Sequence, residues 1–133
     1  MLHPHHFQVN EAWIAFKLND GPIRAGKDGD FDFIGLMDAA SCFILSSATV
    51  PSSVAEPTVL EARRLLKQGK AHKNQLPKTL FIPVGQPAQH LAKETERQGI
   101  VVVRVPEDQL LVFIGEARAG FRERFSNSGG QVG

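Results

Sequence analysis

At 133 residues the chain has the length of one domain, enough to bury about two thirds of the surface an unfolded chain exposes, so no disulfide or metal staple is required. Hydrophobic residues make up 42% and charged residues 22%, ordinary for a soluble globular protein. A net charge of +1 excludes a whole-molecule field that would draw the chain to nucleic acid or membrane, and the single cysteine, Cys42, excludes an internal disulfide.

The opening MLHPHHFQVN lacks a basic start followed by an apolar core, so no secretory signal is expected. The longest apolar runs, IVVV and LLVFI, are too short to span a bilayer, and the expectation is a cytoplasmic protein without a membrane partner. Residues 1–9 read as a His-containing tail, 10–125 as one α/β domain and 126–133 as a flexible C-terminal tail. Met1-Leu2-His3 could wrap Cu(II) or Ni(II) through the amine, two amides and the imidazole, which makes His3 a candidate metal ligand; a solvated tail is the commoner reading of three such residues.

Residues 11–18, EAWIAFKL, alternate as a strand does, with Ala12, Ile14, Phe16 and Leu18 on one face and Trp13 and Ala15 on the other. NDGP breaks the run, and the polar stretch 24–30 contains the turn signal Asp28-Gly29. Two apolar runs follow, Phe31 to Met37 and Cys42 to Leu45, the second extendable to Val50, with DAAS between them. An Asp heading four such residues suits a tight hairpin turn, so Asp38 is expected to bond the backbone of Ala40 or Ser41.

The period then becomes helical. Residues 52–70 place Val59, Ala62, Leu65 and Leu66 on one stripe. Ser53 with Glu56 suggests a capping box, Pro57 a first turn, and Gly69 the residue just past the helix end. KTLFIPV (78–84) reads as a short strand and 86–100 as a helix with Pro87 in its first turn and Gly99-Ile100 closing it. IVVVRV (100–105) is apolar enough for a strand covered on both faces. The last helix, 107–125, carries Leu110, Ile114, Ala117, Phe121 and Phe125 on one stripe. One face cannot bury all of LLVFI, so self-association or another protein contact through the 110–125 helix is expected.

The order βββαβαβα implies a mixed five-stranded sheet, an antiparallel three-stranded meander plus two parallel strands, with helices on its faces. That is the order of the ribonuclease H-like fold. Over roughly residues 11–125 the text resembles the catalytic core of retroviral-type integrases and transposases, in FIGLMDAASCFIL, VLEARRLLKQG, the stretch from Lys78 to Glu107, and GEARAGFRERF. The resemblance implies two-metal phosphoryl transfer by carboxylates from the middle of the first strand, the end of the strand after the first helix, and the last helix. Here the first strand reads WIAFKL without an acid, the second place reads FIPVGQ where the family has a D-N-G-like stretch, and only Glu116 matches on the last helix. Asp38 is not one of the family's acids. The resemblance therefore implies a ribonuclease H-like domain lacking its catalytic centre, a non-catalytic binding or scaffolding module with no cofactor.

Two alternatives remain. A metal-dependent nuclease or other phosphoryl-transfer enzyme would need Mg2+ held by Asp20, Asp38 and Glu116. A nucleic-acid-binding accessory protein would use the cationic cluster Arg63, Arg64, Lys67, Lys70, His72, Lys73 and Lys78. The same cations also suit a solvated helix face and the negative end of the helix dipole, and little aromatic residue is interleaved with them. No G-x-S-x-G, Walker A or G-x-G-x-x-G sequence occurs, so hydrolase and nucleotide-cradle chemistries lack local support.

Overall fold

The computed structural model describes residues 1–21, 23–24 and 29–132, with side chains through residue 124. Strand β1 (Ala12–Lys17) lies inside the sheet, which is why both of its faces are apolar: Trp13 and Ala15 enter one core, Ala12, Ile14 and Phe16 the other. It pairs antiparallel with β3 (Asp30–Asp38) and parallel with β5 (Thr79–Pro83). Outside these lie β4 (Ile44–Pro51), antiparallel to β3, and β6 (Val101–Val105), parallel to β5.

The sheet has six strands, not the five expected. The extra one is the two-residue β2 (Ile23–Arg24). Phe31 faces Ile23 on one side and Pro51 on the other, while Ile34 faces Lys17 and Ala48, so β2 resumes the ladder that β1 leaves. Between the two pairings the chain runs from Lys17 to Ile23 while β3 spans only Phe31 to Ile34. The buried Asn19 side chain stands in for the interrupted ladder: Nδ2 donates to the Gly21 carbonyl (2.8 Å) and to Asp32 Oδ1 (2.9 Å), and Oδ1 accepts from the Phe33 N–H (2.8 Å). Of the expected turn Asp28-Gly29, Asp28 lies outside the described residues.

Helices α1 (Val59–Lys73) and α2 (Gln89–Arg97) cover the Trp13 face, where Leu65, Leu66 and Leu91 are fully buried. The capping box is Thr58 with Glu61, not Ser53 with Glu56: Thr58 Oγ1 accepts from the Glu61 N–H (3.2 Å) and Glu61 Oε1 accepts from the Thr58 N–H (3.1 Å). Glu56 instead accepts from the His90 N–H (3.0 Å), tying the approach to α1 onto the start of α2. Nor does α1 stop at Gly69. A Cβ there would meet Leu36 at 2.9 Å and the Trp13 ring at 3.1 Å, so this glycine permits close helix–sheet approach, and the helix runs on to Asn74 in a left-handed conformation (φ 54°).

A 3₁₀ turn, Glu107–Leu110, leads into α3 (Leu111–Val132) on the opposite face. Leu110, Phe113 and Ile114 are buried there and Leu111 stays 48% exposed, so the core absorbs most of LLVFI. The backbone of α3 continues through the stretch expected as a C-terminal tail; Gly133 and the side chain at the stripe position Phe125 fall outside what is described. The expected N-terminal tail also lies on this face. Leu2 and Phe7 pack against the core, the Leu2 N–H donates to the Gln109 carbonyl (3.0 Å), and the Phe7 ring sits 5.7 Å from Phe81. The strand expected to be covered on both faces, β6, is an edge strand with Val101 60% exposed. No helix among the described residues is long and apolar enough to cross a membrane.

Candidate functional site

At the C-terminal ends of β1 and β5 a cleft of about 460 Å³ opens toward α3, lined among others by Lys17, Asp20, Asp32, Gln86, Glu107 and Arg118. The loop after β5 is held from two sides. The Lys17 N–H donates to Gln86 Oε1 (3.0 Å), and Arg104 Nη1 donates to the Pro83 (3.1 Å) and Gln86 (2.6 Å) carbonyls. Gly85, with φ 90°, supplies the turn that an L side chain would resist.

Arg118 organises the charges. Its Nη1 lies 2.8 Å from Glu107 Oε1, its Nε donates to the Lys17 carbonyl (3.0 Å), and the same Nε is 3.9 Å from Asp20 Oδ1. Arg122 reaches the other Asp20 oxygen at 2.9 Å. The Arg118 side chain is only 19% exposed, and its Nε and Nη1 are both engaged by these partners. Its carboxylate partners are near half exposed, which leaves each ion pair weak on its own and the bond to the Lys17 carbonyl as the anchoring contact.

The first strand, the strand after the first helix, and the last helix, from which the resemblance would draw metal-holding carboxylates, all reach this cleft. In this chain they contribute Lys17, Gln86 and Arg118. Of the three acids that line the cleft, Asp20 and Glu107 face a guanidinium and Asp32 Oδ1 accepts from Asn19 Nδ2 (2.9 Å), and among the described residues no group of three or more His, Cys, Asp or Glu could hold a metal ion. This residue set does not fit a two-metal centre.

The three carboxylates named from sequence are not brought together. Asp20 joins the cleft. Glu116, two residues before Arg118, points about 200° away around the helix; it lines a separate apolar groove with Cys42, Phe113 and Phe121. Burial, with the Glu116 and Asp38 carboxylates adding to it, raises the Cys42 thiol above its ordinary value. Asp38 lies at the other end of β1 and holds the hairpin turn: Oδ2 accepts from the Ser41 N–H (2.9 Å) and Oγ (2.7 Å), and Oδ1 accepts from the Asn10 N–H (2.6 Å). The amides that a copper-type wrap at His3 would need are already donors, Leu2 N–H to Gln109 (3.0 Å) and His3 N–H to His6 Nδ1 (3.2 Å).

The cationic cluster divides. Arg63 pairs with Glu94 (3.3 Å), a buried carboxylate that Arg97 and Gln98 also bond. The Arg97 hydrogen bond is the main reason the Glu94 carboxyl is lowered to about 2, against the opposing effect of burial. Arg64, Lys67, Lys70, Lys73 and Lys78 are exposed and make no ion pair among the described residues. Sequence reasoning missed Arg118 and Glu107, whose pairing is between elements, and Phe43, whose ring lies 5.3 Å from that of His72 at the end of the cationic helix.

No protein-family model matches the sequence, and no curated protein does. Solved structures do match. One is the simian T-cell lymphotropic virus intasome in complex with PP2A regulatory subunit B56 gamma, with TM-score 0.56 and 16% identity over 96% of this chain and 43% of that one. Another is the catalytic core domain of BIV integrase, with TM-score 0.57 and 13% identity over 92% of this chain and 73% of that one. This chain thus spans less than half the length of the first match. The mixed α/β sheet with helices on it resembles the retroviral integrase core of the ribonuclease H-like fold, at identities that show the fold alone.

Proposed function

We propose that the chain is a non-catalytic binding domain on an integrase-core-like fold, acting through surface contacts. The observation that carries this is the seat of Arg118: where the fold would gather carboxylates around divalent cations, a guanidinium already engages Glu107, Asp20 and the Lys17 carbonyl. A structural neighbour that is an intasome in complex with a regulatory protein subunit adds support for protein contact as the mode of action. Leu111, left exposed on α3, is the residue through which self-association of that helix would run. The test is a DNA and RNA cleavage and strand-transfer assay across Mg2+ and Mn2+. The expected result is no metal-dependent product; a product abolished by Asp20→Asn or Glu107→Gln would overturn the reading.

A second reading, nucleic-acid binding by α1, is favoured by its exposed cations Arg64, Lys67, Lys70 and Lys73, which make no ion pair among the described residues. Phosphate contacts release counter-ions, so binding would weaken steeply with added salt, by about 0.7 in log–log slope per contact on a single strand. Titration of a labelled oligonucleotide at several salt concentrations checks this, and salt-independent or absent binding removes it.

A further inference from the structure

Beside the C-terminal end of α1 lies a recess of about 340 Å³, lined by Val9, Asn10, Asp38, Phe43, His72 and Lys73 among others. Its size is at the lower end of the roughly 300–1,000 Å³ typical of sites for small organic groups. Phe43 is 55% exposed although its backbone is clamped: its carbonyl accepts from the Asp38 N–H (2.9 Å) and its N–H lies 3.3 Å from Ser41 Oγ. Cys42, at φ 60°, reverses the chain just before it. The His72 ring meets Phe43 edge-on, and His72 Nε2–H donates to the Leu45 carbonyl (2.9 Å), which fixes the imidazole. The result is a rigid aromatic platform open to solvent.

The floor of the recess is already satisfied. Asp38 accepts three hydrogen bonds, Asn10 Oδ1 accepts from Trp13 Nε1–H (2.9 Å), and Asn10 Nδ2 donates to the Gln75 carbonyl (2.9 Å). Such a floor carries a negative charge, and its spare donor is the second hydrogen of Asn10 Nδ2. It rejects a phosphate and tolerates a flat neutral ring. The rim has the opposite sign. Lys73 lines it, Lys70 and Lys67 follow at three-residue steps up α1, and Lys78 lies beyond the Val9–Asn10 wall with Glu11 beside it.

We infer that this end of the molecule binds single-stranded nucleic acid, with an unpaired base stacked on Phe43 in the recess and the flanking phosphates on Lys73, Lys70 and Lys67. The inference rests on the α1 reading above and adds strand preference to it, because a duplex keeps its bases stacked on one another and cannot offer a face to Phe43. Stacking on a π-face is sequence-tolerant, so oligo(dT) is a sufficient probe.

The experiment is fluorescence anisotropy of the full chain with labelled oligo(dT) and with a duplex of equal length, across a salt series. Expected are tighter binding of the single strand and a loss of about 5- to 150-fold with Phe43→Ala, with the salt slope and duplex binding unchanged. Lys67→Gln with Lys70→Gln should instead reduce the slope by about 1.4. Because Phe43 is half exposed, its replacement should leave the melting curve intact, and Phe43→Leu, which keeps the apolar bulk and loses the π-face, should show most of the loss. Equal affinity for strand and duplex, or no effect of Phe43→Ala while the lysine variant weakens binding, overturns this inference and spares the α1 reading. No binding to either probe overturns both.

Discussion

The two ends of the sheet carry charge in opposite ways. At the C-terminal end of β1, Arg118 is used up by Glu107, Asp20 and the Lys17 carbonyl, and Arg122 takes the remaining Asp20 oxygen. At the N-terminal end, Lys67, Lys70 and Lys73 face solvent with no ion pair among the described residues, while Asp38 is turned inward onto three hydrogen bonds. The charges of the cleft are paired with one another. The basic end resembles ordinary helix solvation in composition and is left free to act. Where charges sit matters less than whether the fold has already paired them.

That contrast can be broken most sharply at Asp38. Asp38→Ala removes three hydrogen bonds and strands the Asn10 N–H, which should cost about 3 kcal/mol in urea unfolding and release the Phe43 platform with it. At the other end, Arg118→Met should cost about 2 kcal/mol, since the guanidinium is mostly covered and its bond to the Lys17 carbonyl is lost along with the pairs. If Arg118→Met proves neutral, the cleft is not held by its own cation and the comparison fails.

A narrower effect is confined to acid. The folded carboxyl of Glu94 lies at about 2 against an ordinary 4.5, so its stabilisation is present above about 4.5 and is lost as pH falls toward 2. Glu94→Gln should therefore flatten the urea midpoint across that window while wild type declines. The smallest effect belongs to the free cations: Lys67→Gln with Lys70→Gln should change stability by less than about 0.5 kcal/mol. A large loss there would mean that these side chains have partners and are not available to a ligand.

Much of this was legible in the residues. The alternation in EAWIAFKL placed Ile14 and Phe16 opposite Trp13 and Ala15, and the head position of Asp38 in DAAS led to its bond with Ser41. Gly69 misled because a glycine near the end of a helical run is read as a stop; its role is the close approach to Leu36 and Trp13, two strands that no local pattern brings there. β6 misled because an apolar run looks the same at an edge as at a centre, and only the strand order β4-β3-β1-β5-β6 puts it at the margin.

The sequence by itself determined the element order, the two-faced central strand and the hairpin turn, because strand alternation, helical period and turn chemistry act within a few residues along the chain. Only the tertiary structure decided which charges are spent. Arg118 meets a carbonyl 101 residues earlier, Asn10 reaches Asp38 across 28, and the Phe43 ring meets His72 from another element. Such contacts have no local signature, since they depend on which faces the sheet and helices bring together once the apolar surfaces are buried.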